Sequence, residues 1–338
     1  MIVNIYTLIT LFLALVSHSL GWFLFYYTIK TVRSFTVFES AEKRNTFEQK
    51  GYLIFLIACV VLSIRMFSWP WFYLMLQSLV PEVPGAMCMF GVTRILPTTV
   101  LFLQIIKPIS FFFIGGWLLC YYIDKSIPTT PFKRKILYYL LPICVLLLVD
   151  SSMEISYVLR MKPMISVSCC ATYFDVPLRP SAMIPQSLFG KHYQKTLYVL
   201  YYFTNIILII FLALTLSKKG MISYRKYLYY GLAMIAILNI PIVIFAFSEI
   251  IAPRLMQLPY HHCLYCFIGN GIVPDAPIIF GLFILGTFAI GWMGILRFVC
   301  RNTKSQTVTN LVFVKIINLS FFCFLASLLM VTIHLFLT

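Results

Sequence analysis

Residues 227–252 read YLYYGLAMIAILNIPIVIFAFSEIIA, and no residue from Tyr227 through Ser248 carries a charge. At a rise of about 1.5 Å per residue, such a run covers the hydrocarbon core of a bilayer, about 30 Å. Apolar side chains occupy every face of the helix it would form. A helix closes its own backbone hydrogen bonds, as any segment surrounded by lipid must. The stretch therefore predicts a transmembrane helix. Similar segments lie at about 2–29, 51–78, 98–123, 136–159, 196–217, 275–297 and 312–337. Proline marks their ends at Pro81, Pro84, Pro97, Pro128, Pro131, Pro253 and Pro277. The expected fold class is all-α: a polytopic membrane helix bundle of about eight transmembrane helices, forming a single transmembrane domain over 1–338.

Composition excludes an ordinary soluble domain. The chain is 61% hydrophobic and 11% charged, with a mean hydropathy of +0.94, whereas soluble domains carry about 25% charge. The net charge of +16 would suit nucleic acid if it formed a patch, but the basic residues sit in short loops between apolar segments, so no nucleic-acid partner is expected. The first span has no basic n-region and exceeds a signal-peptide apolar core, which reads as a retained helix. The glycosylation triplet at Asn318 falls inside an apolar segment.

Those loop charges orient the bundle. Lys30 to Lys50, Lys125 to Lys135, Lys218 to Lys226 and Arg297 to Lys315 hold 17 of the 26 basic residues. The opposite loops hold 7, and Arg65 and Lys107 fall within spans. Because cytoplasmic loops carry the Lys/Arg excess, both termini should be extracytoplasmic. Loops 79–97, 160–195 and 253–274 should share that face.

Each of those three loops contains a thiol cluster. The first is Met87-Cys88-Met89 in PGAMCMFG, the second Cys169-Cys170 in SVSCCATYFD, and the third His261-His262-Cys263-Leu264-Tyr265-Cys266. Methionines 161, 164, 183 and 256 fall in the same loops. Thiolate, imidazole and thioether are soft-to-borderline donors suited to copper or zinc and unsuited to magnesium or calcium. The candidate metal ligands are thus Cys88, Met87, Met89, Cys169, Cys170, His261, His262, Cys263 and Cys266. Thiol–disulfide exchange is an alternative chemistry, with Cys263, Cys266, Cys169 and Cys170 as redox thiols. Structural disulfides bracing the loops are a third possibility, although five external cysteines leave one over. Covalent c-type haem is not expected, because Phe267 rather than histidine follows Cys266. His18 and His334 stand at different depths and read as helix–helix hydrogen-bonding residues.

Four ionisable residues, Arg65, Lys107, Asp150 and Glu154, fall inside spans. Each costs at least about 2.5–3.5 kcal/mol at the bilayer centre, so they should face one another or water. Arg65 and Asp150 both lie about 21 Å from the inner edges of their spans, and Lys107 about 14 Å below its outer edge. Asp150 and Glu154, four apart, share a helix face. A buried ion-pair cluster in the outer half of the membrane, beneath the cysteine loops, is expected. It would either lock three spans together or serve as a proton or cation path, or as a polar floor for a quinone or metal. Glu249 and Asp275 are further candidates for oxygen ligands or proton acceptors.

Two function classes follow. One is a membrane protein whose extracytoplasmic Cys/His/Met cluster serves a soft-metal or thiol-redox role, alone or as the membrane subunit of an electron-transfer complex. The other is a permease or scaffold subunit with braced outer loops, its transport or assembly role carried by the intramembrane charges. Partners are the lipid bilayer of an inner or plasma membrane and further membrane or extracytoplasmic subunits. An even span count does not suit a seven-span receptor. The chain contains no G-x-x-x-x-G-K-[ST], H-E-x-x-H or G-x-S-x-G motif.

Overall fold

The structure, a computed structural model, describes residues 3–34, 41–127, 132–162, 166–217, 226–269, 271–300 and 306–337. Among the expectations above, those on Lys218, Lys219, Arg225, Arg301, Lys304, Met164, Pro128 and Pro131 lie outside the described residues. The described residues are helical, with no strand among them. Eight of the helices are long and apolar enough to cross a membrane, and the chain reads as a multi-pass helical membrane protein. Side chains such as Phe67, Phe203 and Phe322 are largely exposed on these helices, which suits a surface facing lipid rather than water.

The long helices are α1 (Ile5–Ser34), α2 (Ala41–Ser78), α4 (Pro97–Lys125), α5 (Lys133–Arg160), α8 (Tyr193–Ser217), α9 (Lys226–Ala246), α12 (Ala276–Cys300) and α13 (Gln306–Leu337). Short helices fill the connections: α3 (Met89–Thr93), α6 (Ala171–Phe174), α7 (Pro180–Phe189), α10 (Ala252–Leu255) and α11 (Leu264–Gly269). Helix and apolar span are not the same object, and the boundaries differ accordingly. α2 starts ten residues before its apolar stretch, at Ala41 rather than Gly51, because backbone hydrogen bonding continues through the polar segment AEKRNTFEQK. Likewise, α7 continues through the turn Gly190–His192 into α8, so the fifth apolar segment runs from Pro180.

The chain divides into two compact units. The first comprises residues 1–84, 92–166 and 299–304, and contains α1, α2, α4 and α5. Within it α1 packs on α2 and α5, and α4 packs on α2 and α5. Trp117 Nε1 donates to the Ile136 carbonyl at 3.0 Å, joining α4 to α5. His18 links α1 to α5: its Nε2 accepts from Trp22 Nε1 at 3.1 Å, and its Nδ1 lies 3.1 Å from Ser151 Oγ.

The second unit comprises residues 85–91, 167–298 and 305–338. Here α8 packs on α9 and α13, and Ser320 and Ser327 of α13 donate to the Gly286 and Ile279 carbonyls of α12. The cysteine-bearing segments 85–91, 167–175 and 261–266 all belong to this unit.

Candidate functional site

Three short helices set the sulfur positions in the second unit. α3 begins immediately after Cys88, α6 immediately after Cys170 and α11 immediately after Cys263. Each of these cysteines gives its carbonyl to the first turn: Gly91 N–H bonds Cys88 at 3.0 Å, Tyr173 N–H bonds Cys170 at 3.0 Å, and Phe267 N–H bonds Cys263 at 3.2 Å. The capping position leaves first-turn N–H groups free to meet the side chain. Cys266 lies one turn into α11.

Close backbone approach brings the three segments together. Gly85 has φ +84°, and a Cβ there would stand 2.3 Å from the Val167 carbonyl oxygen. Only glycine fits that conformation and that contact. The Phe90 ring packs against Tyr173, Phe174 and Tyr265, with centroids 5.5, 4.9 and 5.9 Å away. One aromatic side chain thus touches rings from both other segments.

The result is a compact set of four buried thiols. The Sγ atoms of Cys88, Cys170, Cys263 and Cys266 all lie within 4.8 Å of one another. Cys170 and Cys266 are 3.5 Å apart, and Cys88 and Cys263 are 4.0 Å apart. A tetrahedral ion with metal–sulfur bonds of about 2.3 Å spaces its ligands about 3.8 Å from each other. The separations of 3.5 and 4.0 Å bracket that spacing, and the four thiols form no disulfide among themselves.

Mutual S–H donation governs the electrostatics. Cys88 is held far below the ordinary thiol range by hydrogen bonds from Cys170, Cys263 and Cys266, assisted by the Phe90 N–H. The same contacts push Cys170 and Cys266 far above it, Cys263 being the largest influence on Cys170 and Cys170 on Cys266.

The remaining sulfurs and imidazoles of these loops are placed differently. Cys169, partly exposed, donates to Met87 Sδ at 3.2 Å, and its Sγ lies 3.8 Å from that of Cys170. Met89 is buried in the first turn of α3. His261 Nδ1 pairs with Asp175 at 2.9 Å. His262 Nδ1 faces the Ser248 carbonyl at 3.0 Å, which fixes its proton on that nitrogen, and burial holds its pKa below the ordinary imidazole value.

The carboxylates of this unit are Asp175, Glu249 and Asp275, and each is engaged by a base. Asp175 has His261. Asp275 takes His334 Nε2 at 2.6 Å. Glu249 sits in a π-helical turn, Phe247–Ile251, fully buried, and accepts from Arg179 Nε at 3.0 Å, Arg179 Nη2 at 2.5 Å and the Tyr193 hydroxyl at 2.9 Å. The Glu249–Arg179–Tyr193 network and the Phe90 clasp are the features least visible beforehand. The Arg-Pro start of α7 gives a faint hint of the first.

In the first unit, the four intramembrane charges meet. Arg65 Nη1 donates to Glu154 Oε2 at 2.6 Å, and Arg65 Nη2 donates to Asp150. Lys107 Nζ pairs with Glu154 and lies 3.4 Å from Asp150 Oδ1. Its ammonium also stands 5.2 Å from the Phe72 ring centroid. Two cations and two carboxylates balance with all four side chains at most 3% exposed. The cluster ties α2, α4 and α5 together.

No family model matches the chain, and no curated protein or solved structure matches it either. Its function is therefore argued from its own side chains, and four convergent thiols in a multi-pass helical membrane protein are what they provide.

Proposed function

We propose that this is a membrane protein that binds a thiophilic metal ion, Zn(II) or Cu(I), on Cys88, Cys170, Cys263 and Cys266. The observation that carries the proposal is the convergence of four buried Sγ atoms, each within 4.8 Å of the other three. Donor chemistry supports it. Hard cations want oxygen ligands, and the carboxylates of the same unit are already paired with Arg179, His261 and His334. The soft sulfurs, by contrast, converge on one another.

The loop-charge bias supports an extracytoplasmic position for the thiols and for both termini. Lipid, and membrane or extracytoplasmic subunits that deliver or receive the ion, are the partners this reading needs.

Full-length protein purified without a metal-chelating tag should contain a stoichiometric thiophilic ion by elemental analysis. Cys88→Ser and Cys263→Ser should each lose it. Stripping the ion should also lower thermal stability, by about 2.7 kcal/mol for free ion at 100 times Kd. Metal-free wild-type protein in which all four thiols resist alkylation until reduced would sink the metal reading. It would favour thiol–disulfide exchange instead, for which the Cys170–Cys266 and Cys88–Cys263 approaches provide two bonds that could close.

A further inference from the structure

The sulfurs continue outward from the buried set. Met87 is 71% exposed, and its Sδ lies 3.2 Å from Cys169 Sγ. Cys169 Sγ is 3.8 Å from Cys170 Sγ, which is in turn 3.5 Å from Cys266 Sγ. An unbroken line of sulfur contacts thus leads from an exposed thioether to the buried thiols, and none of its steps exceeds the spacing of two ligands on one ion, about 3.8–4 Å.

We infer that Met87 and Cys169, sharing Cys170 with the buried set, form an exchange port through which Cu(I) reaches and leaves the four-thiol site. The inference rests on the metal-binding reading above and narrows it, because the two outer donors discriminate between ions. A thioether is a good ligand for Cu(I) and a poor one for Zn(II). An exposed methionine against an accessible thiol therefore assists only the copper ion. Cu(I) is also satisfied by few sulfurs. It can bind Cys169 with Met87, then Cys169 with Cys170, then Cys170 with Cys266, without passing through a bare state.

No electron moves in this sequence; copper remains Cu(I) throughout. As the ion bonds Cys169, that thiol's proton leaves to water; Cys170 and then Cys266 each release their own thiol proton as they bind the ion, and Cys169 takes a proton back from water when the ion leaves it. Cys169 and Met87 thus govern the rate of exchange, whereas Cys88, Cys170, Cys263 and Cys266 govern how much is held.

The test uses the full chain in lipid nanodiscs, loaded anaerobically with Cu(I) from its acetonitrile complex. A coloured Cu(I) chelator then withdraws the ion. Met87→Leu and Cys169→Ser should hold as much copper as the wild type but release it at least tenfold more slowly, and Cys170→Ser should hold less. Loading the same proteins with Zn(II) provides the control, since Met87→Leu should release zinc at the wild-type rate. Wild-type release rates for copper in both variants would overturn the port, as would equal slowing of zinc by Met87→Leu, which would mean a change of access rather than a lost ligand. Wild-type protein that takes up no Cu(I) at all would overturn copper binding by the four-thiol site, and with it the port.

Discussion

Replacing Lys107 by methionine removes one cation from a neutral set of four and leaves two carboxylates facing Arg65 alone. The side chain is fully buried, and its ammonium meets both Glu154 and, at 3.4 Å, Asp150. Truncating one partner of a buried ion pair costs about 3–5 kcal/mol, since the surviving charge is left without compensation. The contact with Phe72 adds about 0.5–2 kcal/mol. Methionine keeps most of the aliphatic stem, so cavity formation contributes little. The expected loss is therefore about 3.5–7 kcal/mol. Its electrostatic origin can be isolated by adding Glu154→Gln. The double variant pairs Arg65 with Asp150 one to one, and the amide oxygen introduced by Glu154→Gln can still accept from Arg65 Nη1 through a hydrogen bond worth about 1 kcal/mol. Stability should then return to within about 1–2 kcal/mol of the wild type, making the double variant more stable than the single one. Denaturant unfolding in bicelles, followed by tryptophan fluorescence, measures both. A Lys107→Met protein as stable as the wild type would refute the ion-pair argument. So would a double variant less stable than Lys107→Met, because the loss would then follow the number of groups removed and not the surplus charge.

Two further predictions concern the thiol segments. Gly85→Ala places a Cβ 2.3 Å from the Val167 carbonyl oxygen at φ +84°; the conformational penalty is about 1–2 kcal/mol before the backbone shifts. Chelator competition should show metal affinity down at least tenfold in a protein that still folds, and unchanged affinity would mean that the Gly85–Val167 contact does not set the sulfur spacing. Sidedness can be read from Cys169: in intact cells a membrane-impermeant maleimide should label the wild type and not Cys169→Ser, whereas labelling only after lysis would reverse the orientation drawn from the loop charges.

The long helices were readable because crossing a bilayer makes one crude demand, a run of about 20 apolar residues, and hydropathy reports that demand directly. The intramembrane charges were readable for a similar reason. Rise per residue is fixed, so Arg65 and Asp150 could be set at one depth. Lys107 falls a turn off that estimate, and its long side chain makes up the difference. The thiol segments obey no such rule. Five cysteines, two histidines and several methionines looked equally able to converge, yet Cys170 turns inward while its neighbour Cys169 turns toward Met87. That choice depends on where α6 begins, on a positive φ at Gly85 and on the ring contacts of Phe90, none of which hydropathy can register. His261 and His262 place their Nδ1 atoms on Asp175 and the Ser248 carbonyl, contacts that spacing along the chain does not announce.

Glu249 makes the same point within a helix. Continuing α9 at about 100° per residue would fix its direction from the apolar pattern, but the π-turn at Phe247–Ile251 changes that phase. Its carboxylate meets Arg179 and Tyr193 instead of remaining available to a cation. Glu249 thereby joins Asp175 and Asp275 as a carboxylate already engaged by a base, while the four sulfurs converge on one another. That sorting of donors, more than the number of cysteines, is what the proposed binding of a thiophilic ion rests on.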